Sequence, residues 1–206
     1  MRSRSSRTKI VLATFNPGKL REIRRSFRGA PLDFLSLRGI GGSGEVEEKG
    51  TTFLENARQK SRAYSLQSEH LTLAEDSGLE VDQLDGAPGV FSARFSDPGA
   101  TDEKNICKVL RLMEGVPWPS RRARFICQLV LSRNGRILKE CRGQVQGYIA
   151  LRKKGDRGFG YDPIFFYRPL GRTFGELPPE TKNAVSHRGR ALKKMTVFLL
   201  RVAGAS

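Results

Sequence analysis

Apolar and polar positions change their spacing block by block along the chain, and the blocks read as alternating strands and helices. Lys9 to Thr14, KIVLAT, is a β-rich apolar run closed by Asn16, Pro17 and Gly18, which predicts a buried strand meeting a turn. Leu20, Ile23 and Phe27 follow at helical spacing with Lys19, Arg21, Arg24, Arg25 and Arg28 on the other faces, so a helix follows the turn. Gly39 to Gly50 is a glycine-rich acidic loop. Thr52 and Glu55 then stand at capping-box spacing and open a helix that runs to about Leu66. Leu71 to Ala74 predicts a second buried strand, with Glu75 and Asp76 at its end and Ser77 and Gly78 making a turn.

Further along, Asp85 to Thr101 reads as loop and Asp102 to Met113 as helix. Ala123 to Leu131 predicts a strand, Asn134-Gly135 a tight turn, and Ile137 to Gly147 the returning strand. Ala191, Met195, Phe198 and Val202 form one helical stripe, widened by Leu192 and Leu199. This alternation predicts an α/β fold with a mixed sheet, the 123–147 hairpin supplying its antiparallel part. No repeat, linker or low-complexity tract marks a boundary. The chain is therefore taken as a basic disordered leader over residues 1–8, carrying Arg2, Arg4 and Arg7, followed by a single domain over 9–206.

Composition narrows the class. With 206 residues, 38% of them hydrophobic, a core forms without staples. No apolar run approaches the roughly 20 residues of a membrane span, and the start MRSRSSRTK lacks the apolar stretch of a secretory signal, so no membrane partner and a cytoplasmic location are expected. Cys107, Cys127 and Cys141 are widely spaced, with two histidines in the chain, which argues against zinc or iron–sulfur chemistry and for reduced core thiols. The net charge of +16 favours anionic partners: nucleotides, nucleic acid or acidic surfaces.

Five segments carry candidate chemistry. Thr14-Phe15-Asn16-Pro17-Gly18-Lys19 joins a strand to a helix, where free backbone N–H groups, the helix dipole and a lysine suit an anion, although the P-loop pattern is absent. Glu45, Glu47 and Glu48, then Glu75 and Asp76, gather acids in a basic chain. Such carboxylates suit Mg²⁺ or the orientation of a water molecule. Gly158-Phe159-Gly160-Tyr161-Asp162-Pro163 combines aromatics with one acid and suits stacking and hydrogen bonding of a base. Ser186 reads as an N-cap, with His187 and Arg188 in the first helical turn after it and Lys182 before it. Gly39, Gly41 and Gly44 match G-x-G-x-x-G, but no helical apolar pattern follows, which excludes a dinucleotide fold.

Taken in order, LATFNPGKLREI, EEKGTTFLENARQKSRAYS, LAEDSGLEVDQLDGAPGVFSARFS, RRARFICQLVL, RGFGYDPIFF and FGELPPETKNAVSHRGRAL resemble the inosine triphosphate pyrophosphatase family over about residues 9 to 198. The resemblance implies an elongated, two-lobed mixed-sheet fold with flanking helices, a substrate cleft between the lobes, and a homodimer. It implies Mg²⁺-dependent hydrolysis of ITP, dITP and XTP to the monophosphate and pyrophosphate, with no specific nucleic acid as partner. Thr14, Asn16 and Lys19 match the triphosphate-binding turn and Lys60 a second phosphate-binding lysine. Glu47 and Asp76 match the magnesium carboxylates, with Asp76 also the candidate general base and the role of Glu75 left open. Ser77 matches a substrate contact; Phe159, Gly160, Tyr161 and Asp162 match the base pocket; and Lys182, His187 and Arg188 match the groups that close over the base. Two rivals stand beside this reading: a nucleic-acid-binding protein, and a pyrophosphatase for modified pyrimidine triphosphates.

Overall fold

A computed structural model describes residues 7–42, 44 and 46–204, so most of the leader and Glu45 lie outside the described residues. The first strand, β1 (Thr8–Ala13), is parallel both to β2 (Leu32–Ser36), with Ile10 opposite Phe34, and to β3 (Leu71–Val81), with Ala13 opposite Ala74. Parallel neighbours need crossover connections, supplied here by α1 (Pro17–Ser26) and α2 (Phe53–Ser65). Strands β4 (Arg122–Arg133) and β5 (Arg136–Ile149) are joined through Asn134 and Gly135, both at positive φ as a two-residue hairpin turn demands. Short antiparallel strands β6 (Phe165–Tyr167) and β7 (Arg172–Thr173) complete a seven-stranded mixed sheet of order β2-β1-β3-β4-β5-β6-β7. The remaining helices are α3 (Asp102–Leu112), α4 (Pro179–Val185) and α5 (His187–Gly204). No described helix is long and apolar enough to cross a membrane.

The chain divides into two compact units. One holds the residues up to Asp76, Gln128–Arg142 and those from Ala191 onward; the other holds Ser77–Cys127 and Gly143–Arg190. Every division falls inside a continuous element (β3, β4, β5 or α5), so no linker composition betrays it. The first unit buries Val11, Ala13, Leu37, Tyr64 and Ala74 together. The second is built on Leu79, Val109, Met113, Phe125, Ile149, Phe165 and Phe174, among others.

Two sequence expectations change. Glu75-Asp76-Ser77-Gly78 is not a turn: β3 continues through it to Val81, and Glu75 and Asp76 lie in mid-strand. Between β1 and β4 the backbone ladder outweighs the turn propensity of Ser-Gly, and the buried carboxylates keep cationic partners. Cys127 and Cys141 are buried thiols, but Cys107 is exposed, because Asn105, Ile106 and Val109 take the inward face of α3. Within the stretch taken as leader, β1 begins at Thr8 and Arg7 pairs with Asp33, while residues 1–6 lie outside the described residues.

In the second unit Arg121 is only 3% exposed and donates to four backbone carbonyls, those of Met113, Val116, Ile149 and Ala150, tying the end of α3 to the end of β5. Arg121→Met preserves much of the stem but removes the donor these carbonyls share, although the Met113 carbonyl keeps a backbone partner, the Val116 N–H. At about 1–3 kcal/mol per orphaned buried group, partly relieved by water, a net loss of roughly 3 kcal/mol is expected. Guanidinium unfolding with an unchanged m-value measures it, and a loss under about 1 kcal/mol would show that the carbonyls find other donors.

Candidate active site

In the first unit, the turn after β1 is organised by its own side chains. Asn16 caps α1, its Oδ1 accepting from the Lys19 N–H at 3.0 Å, and Thr14 Oγ1 accepts from the Asn16 N–H at 3.2 Å. Pro17 fills the first helical position, where a missing N–H costs nothing. The Lys19 ammonium is thereby carried in the first turn of α1, 3.6 Å from Glu75 Oε1.

The second lysine stands on α2. This helix opens with the capping box that Thr52 and Glu55 predicted, and it presents Asn56, Lys60 and Tyr64 at four-residue steps along one face. That face holds the acidic loop: the Tyr64 hydroxyl accepts from the Val46 N–H, Gln59 from Lys49 and Asn56 from Gly50. Lys60 Nζ lies 3.0 Å from Glu48 and 3.5 Å from Asp76 Oδ1, while Asn56 Nδ2 donates to Asp76 Oδ2 at 3.2 Å. Asp76 is only 7% exposed. Burial pushes its carboxyl above the ordinary value, opposed by the charges of Lys60 and Lys19, reinforced by Glu48 and opposed again by the Asn56 hydrogen bond.

Of the loop glutamates, Glu48 faces this cluster. Glu47, the residue expected to bind metal, has a 76% exposed side chain and pairs with Lys49 at 2.9 Å. Among the described residues no group of three or more His, Cys, Asp and Glu side chains forms a metal cage. Asp76 and Glu48, two carboxylates sharing one ammonium, nonetheless suit Mg²⁺, which accepts hard oxygen ligands and fills most of its shell with water and substrate phosphates.

The second unit assembles a different chemistry. Asp162 Oδ2 accepts from the Phe159 N–H at 2.9 Å and forms a short, buried ion pair with Lys182. Gly158, at φ +81°, leaves room for this carboxylate, which a Cβ there would strike. The Gly160 N–H donates to Asp102 at 2.7 Å. Lys182 Nζ and Arg188 Cζ lie 4.9 and 5.3 Å from the centroid of the half-buried Phe159 ring, and Arg188 Nη2 donates to Ser77 Oγ at 3.1 Å. Ser186 caps the last helix as expected, accepting from the Gly189 N–H.

Ser77, Phe159, Asp162, Lys182 and Arg188 are thus brought together. Tyr161 and His187 make other contacts: the Tyr161 hydroxyl donates to the Ser92 carbonyl and burial pushes its pKa up, while the His187 ring stacks on Phe125 at 4.6 Å. Sequence reasoning passed over Asn56. Its place four residues before Lys60 on a capped helix was the available signal.

The Ham1 family model matches residues 10–198. The chain is 46% identical over 195 residues to the dITP/XTP pyrophosphatase of Desulforamulus reducens, covering 94% of this chain and 96% of that one. It is 48% identical over 185 residues to the dITP/XTP pyrophosphatase of Geobacter sulfurreducens, covering 90% and 93%. Among solved structures, a HAM1 protein from Coxiella burnetii aligns with a TM-score of 0.85 at 40% identity, covering 94% of this chain and 99% of that chain.

Proposed function

The chain belongs to the Ham1 family, and on that premise we propose that it hydrolyses non-canonical purine nucleoside triphosphates (ITP, dITP and XTP) to the monophosphate and pyrophosphate. The observation that carries the reading is Asp76: a buried carboxylate gripped by Asn56 on one oxygen and facing Lys60 on the other, with Glu48 beside the same ammonium. This set suits a polyanion accompanied by a hard cation. Mg²⁺, held by Asp76 with Glu48 or its loop neighbour Glu47, supplies neutralisation of phosphate charge when bound. Asp76 orients the attacking water toward the α-phosphorus and accepts its proton. Lys19 and Lys60 offset the charge of the phosphates and of the departing pyrophosphate. The second unit's cluster recognises the base, with Phe159 as the stacking ring and Arg188 as the donor. No covalent intermediate is required.

Product analysis tests the reaction: dITP with Mg²⁺ should yield dIMP and pyrophosphate in equal amounts, with turnover lost when the metal is chelated. Release of orthophosphate instead would place the cut at the γ-phosphate and overturn the reading. A homodimer, also proposed from the family resemblance, is checked by sedimentation velocity.

The two lysines make a separate prediction. Lys19→Ala and Lys60→Ala are each expected to raise KM for ITP about tenfold while weakening IMP inhibition less, because both ammoniums sit among the carboxylates and are assigned to phosphate charge. Steady-state kinetics with IMP as competitor gives the comparison. Equal weakening of both ligands would move the lysines away from the β and γ phosphates.

A further inference from the structure

Asn56 is 1% exposed, and both ends of its side chain are committed. Oδ1 accepts from the Gly50 N–H at 2.8 Å, and Nδ2 donates to Asp76 Oδ2 at 3.2 Å. The orientation of the amide is fixed by chemistry. A backbone N–H only donates, so the end facing Gly50 must be the oxygen; the end facing Asp76 is then the NH₂ group, which donates and does not accept. Asp76 Oδ2 is therefore held as an acceptor, and Oδ1 is the oxygen turned to Lys60.

The same side chain fixes the acidic loop. At Gly50 an added Cβ would lie 2.6 Å from Asn56 Oδ1 and 2.7 Å from Glu55 Cβ, so the loop backbone is seated directly on α2 two residues after Glu48. One amide thus links the segment bearing Glu47 and Glu48 to the carboxylate of Asp76.

We infer that Asn56 is a positioning residue for the hydrolysis: it assigns the two oxygens of Asp76 different roles, Oδ2 held and Oδ1 presented for reaction, and sets the spacing between Asp76 and the acidic loop. The inference rests on the reading of Asp76 as the residue that handles water and metal. A carboxylate that rotates freely would spend part of its time with the wrong oxygen presented, and misplacement of a reacting group by about 1 Å costs on the order of 10²-fold in rate.

Asn56→Asp is the informative variant. It keeps the volume and the acceptor for the Gly50 N–H, replaces the donor to Asp76 with an oxygen, and adds a buried carboxylate beside it. With dITP and Mg²⁺, kcat should fall about 10²-fold while KM changes less than about threefold, the opposite split from Lys60→Ala. Asn56→Ser, a smaller change in charge, should show the same split more weakly, and melting curves on both variants confirm that folded protein is compared. In the Asp76→Asn background, Asn56→Asp, which keeps the acceptor for the Gly50 N–H, should cost nothing further, because its remaining action runs through Asp76. A readout independent of turnover is the Asn56 side-chain amide resonance of ¹⁵N-labelled protein, which should shift on Asp76→Asn. Folded Asn56 variants with wild-type kcat, or an amide signal indifferent to Asp76, would overturn the inference. Wild-type turnover by Asp76→Asn would instead sink the underlying reading of the site, so the two failures are distinguishable.

Discussion

Asp76→Asn should retain less than a tenth of the wild-type kcat, with a loss of about 10²–10⁴-fold as is usual when a group that handles a proton is removed, while the protein melts at an unchanged temperature. The first half follows from the role proposed for Asp76, whose charge would orient water and hold metal. The second follows from the surroundings. Asparagine has nearly the volume of aspartate, and its side-chain oxygen can still accept from Asn56 Nδ2. Lys60 is not stranded by the change, because Glu48 remains 3.0 Å away. The buried strand thus loses a charge that burial disfavours and keeps its hydrogen bond. Pyrophosphate release at saturating dITP and a thermal melt measure the two halves. More than a tenth of the activity in a folded variant would remove Asp76 from the reaction.

The second large effect concerns how hypoxanthine is told from adenine. Inosine and xanthosine bases present a 6-oxo acceptor and an N1–H donor, whereas adenine presents an amino donor and a bare N1. Arg188 is suited to the first pattern: the residue is 2% exposed, its guanidinium lies beside the Phe159 ring and is steadied by Ser77, and it can only donate. A site that hydrogen-bonds a substrate group can reject an analogue lacking it by about 10⁴-fold, because its buried polar groups are left unpaired. Arg188→Ala is therefore expected to lower kcat/KM for ITP by about 10²-fold or more and to change that for ATP little, which narrows the ratio between them. Arg188→Lys keeps the charge without the planar fork and should recover only part of the ratio. Paired kinetics on both nucleotides at fixed Mg²⁺ gives the result. An unchanged ratio would leave stacking on Phe159 as the source of selectivity.

Much of the fold was legible because its signals are local. The Lys9–Thr14 run became β1, Thr52 and Glu55 became the capping box of α2, Asn134-Gly135 became the hairpin turn, and Ser186 capped the last helix. Each depends on residues within one or two turns of chain, where propensity and capping chemistry decide. Strand β3 shows where locality fails. Glu-Asp-Ser-Gly has the composition of a turn, but strands on both sides and partners for both acids make the extended form the stable one.

The sequence by itself determined the alternation of elements and the mixed sheet, and it singled out Lys19, Asp76, Phe159, Asp162, Lys182 and Arg188 as candidates from their motifs and Lys60 through the family resemblance. Only the tertiary structure decided which of these groups meet. Glu47 and Glu48 are adjacent and chemically identical, so no pattern ranks them; the ties from Tyr64, Gln59 and Asn56 to the loop backbone turn Glu48 toward Lys60 and leave Glu47 in solvent. His187 and Arg188 are likewise neighbours at a helix start, yet the helical turn sends one ring onto Phe125 and the other side chain to Ser77 and Phe159. For Asn56 the sequence offered only its place four residues before Lys60, because an amide acquires a role from the donor and acceptor that packing places at its two ends.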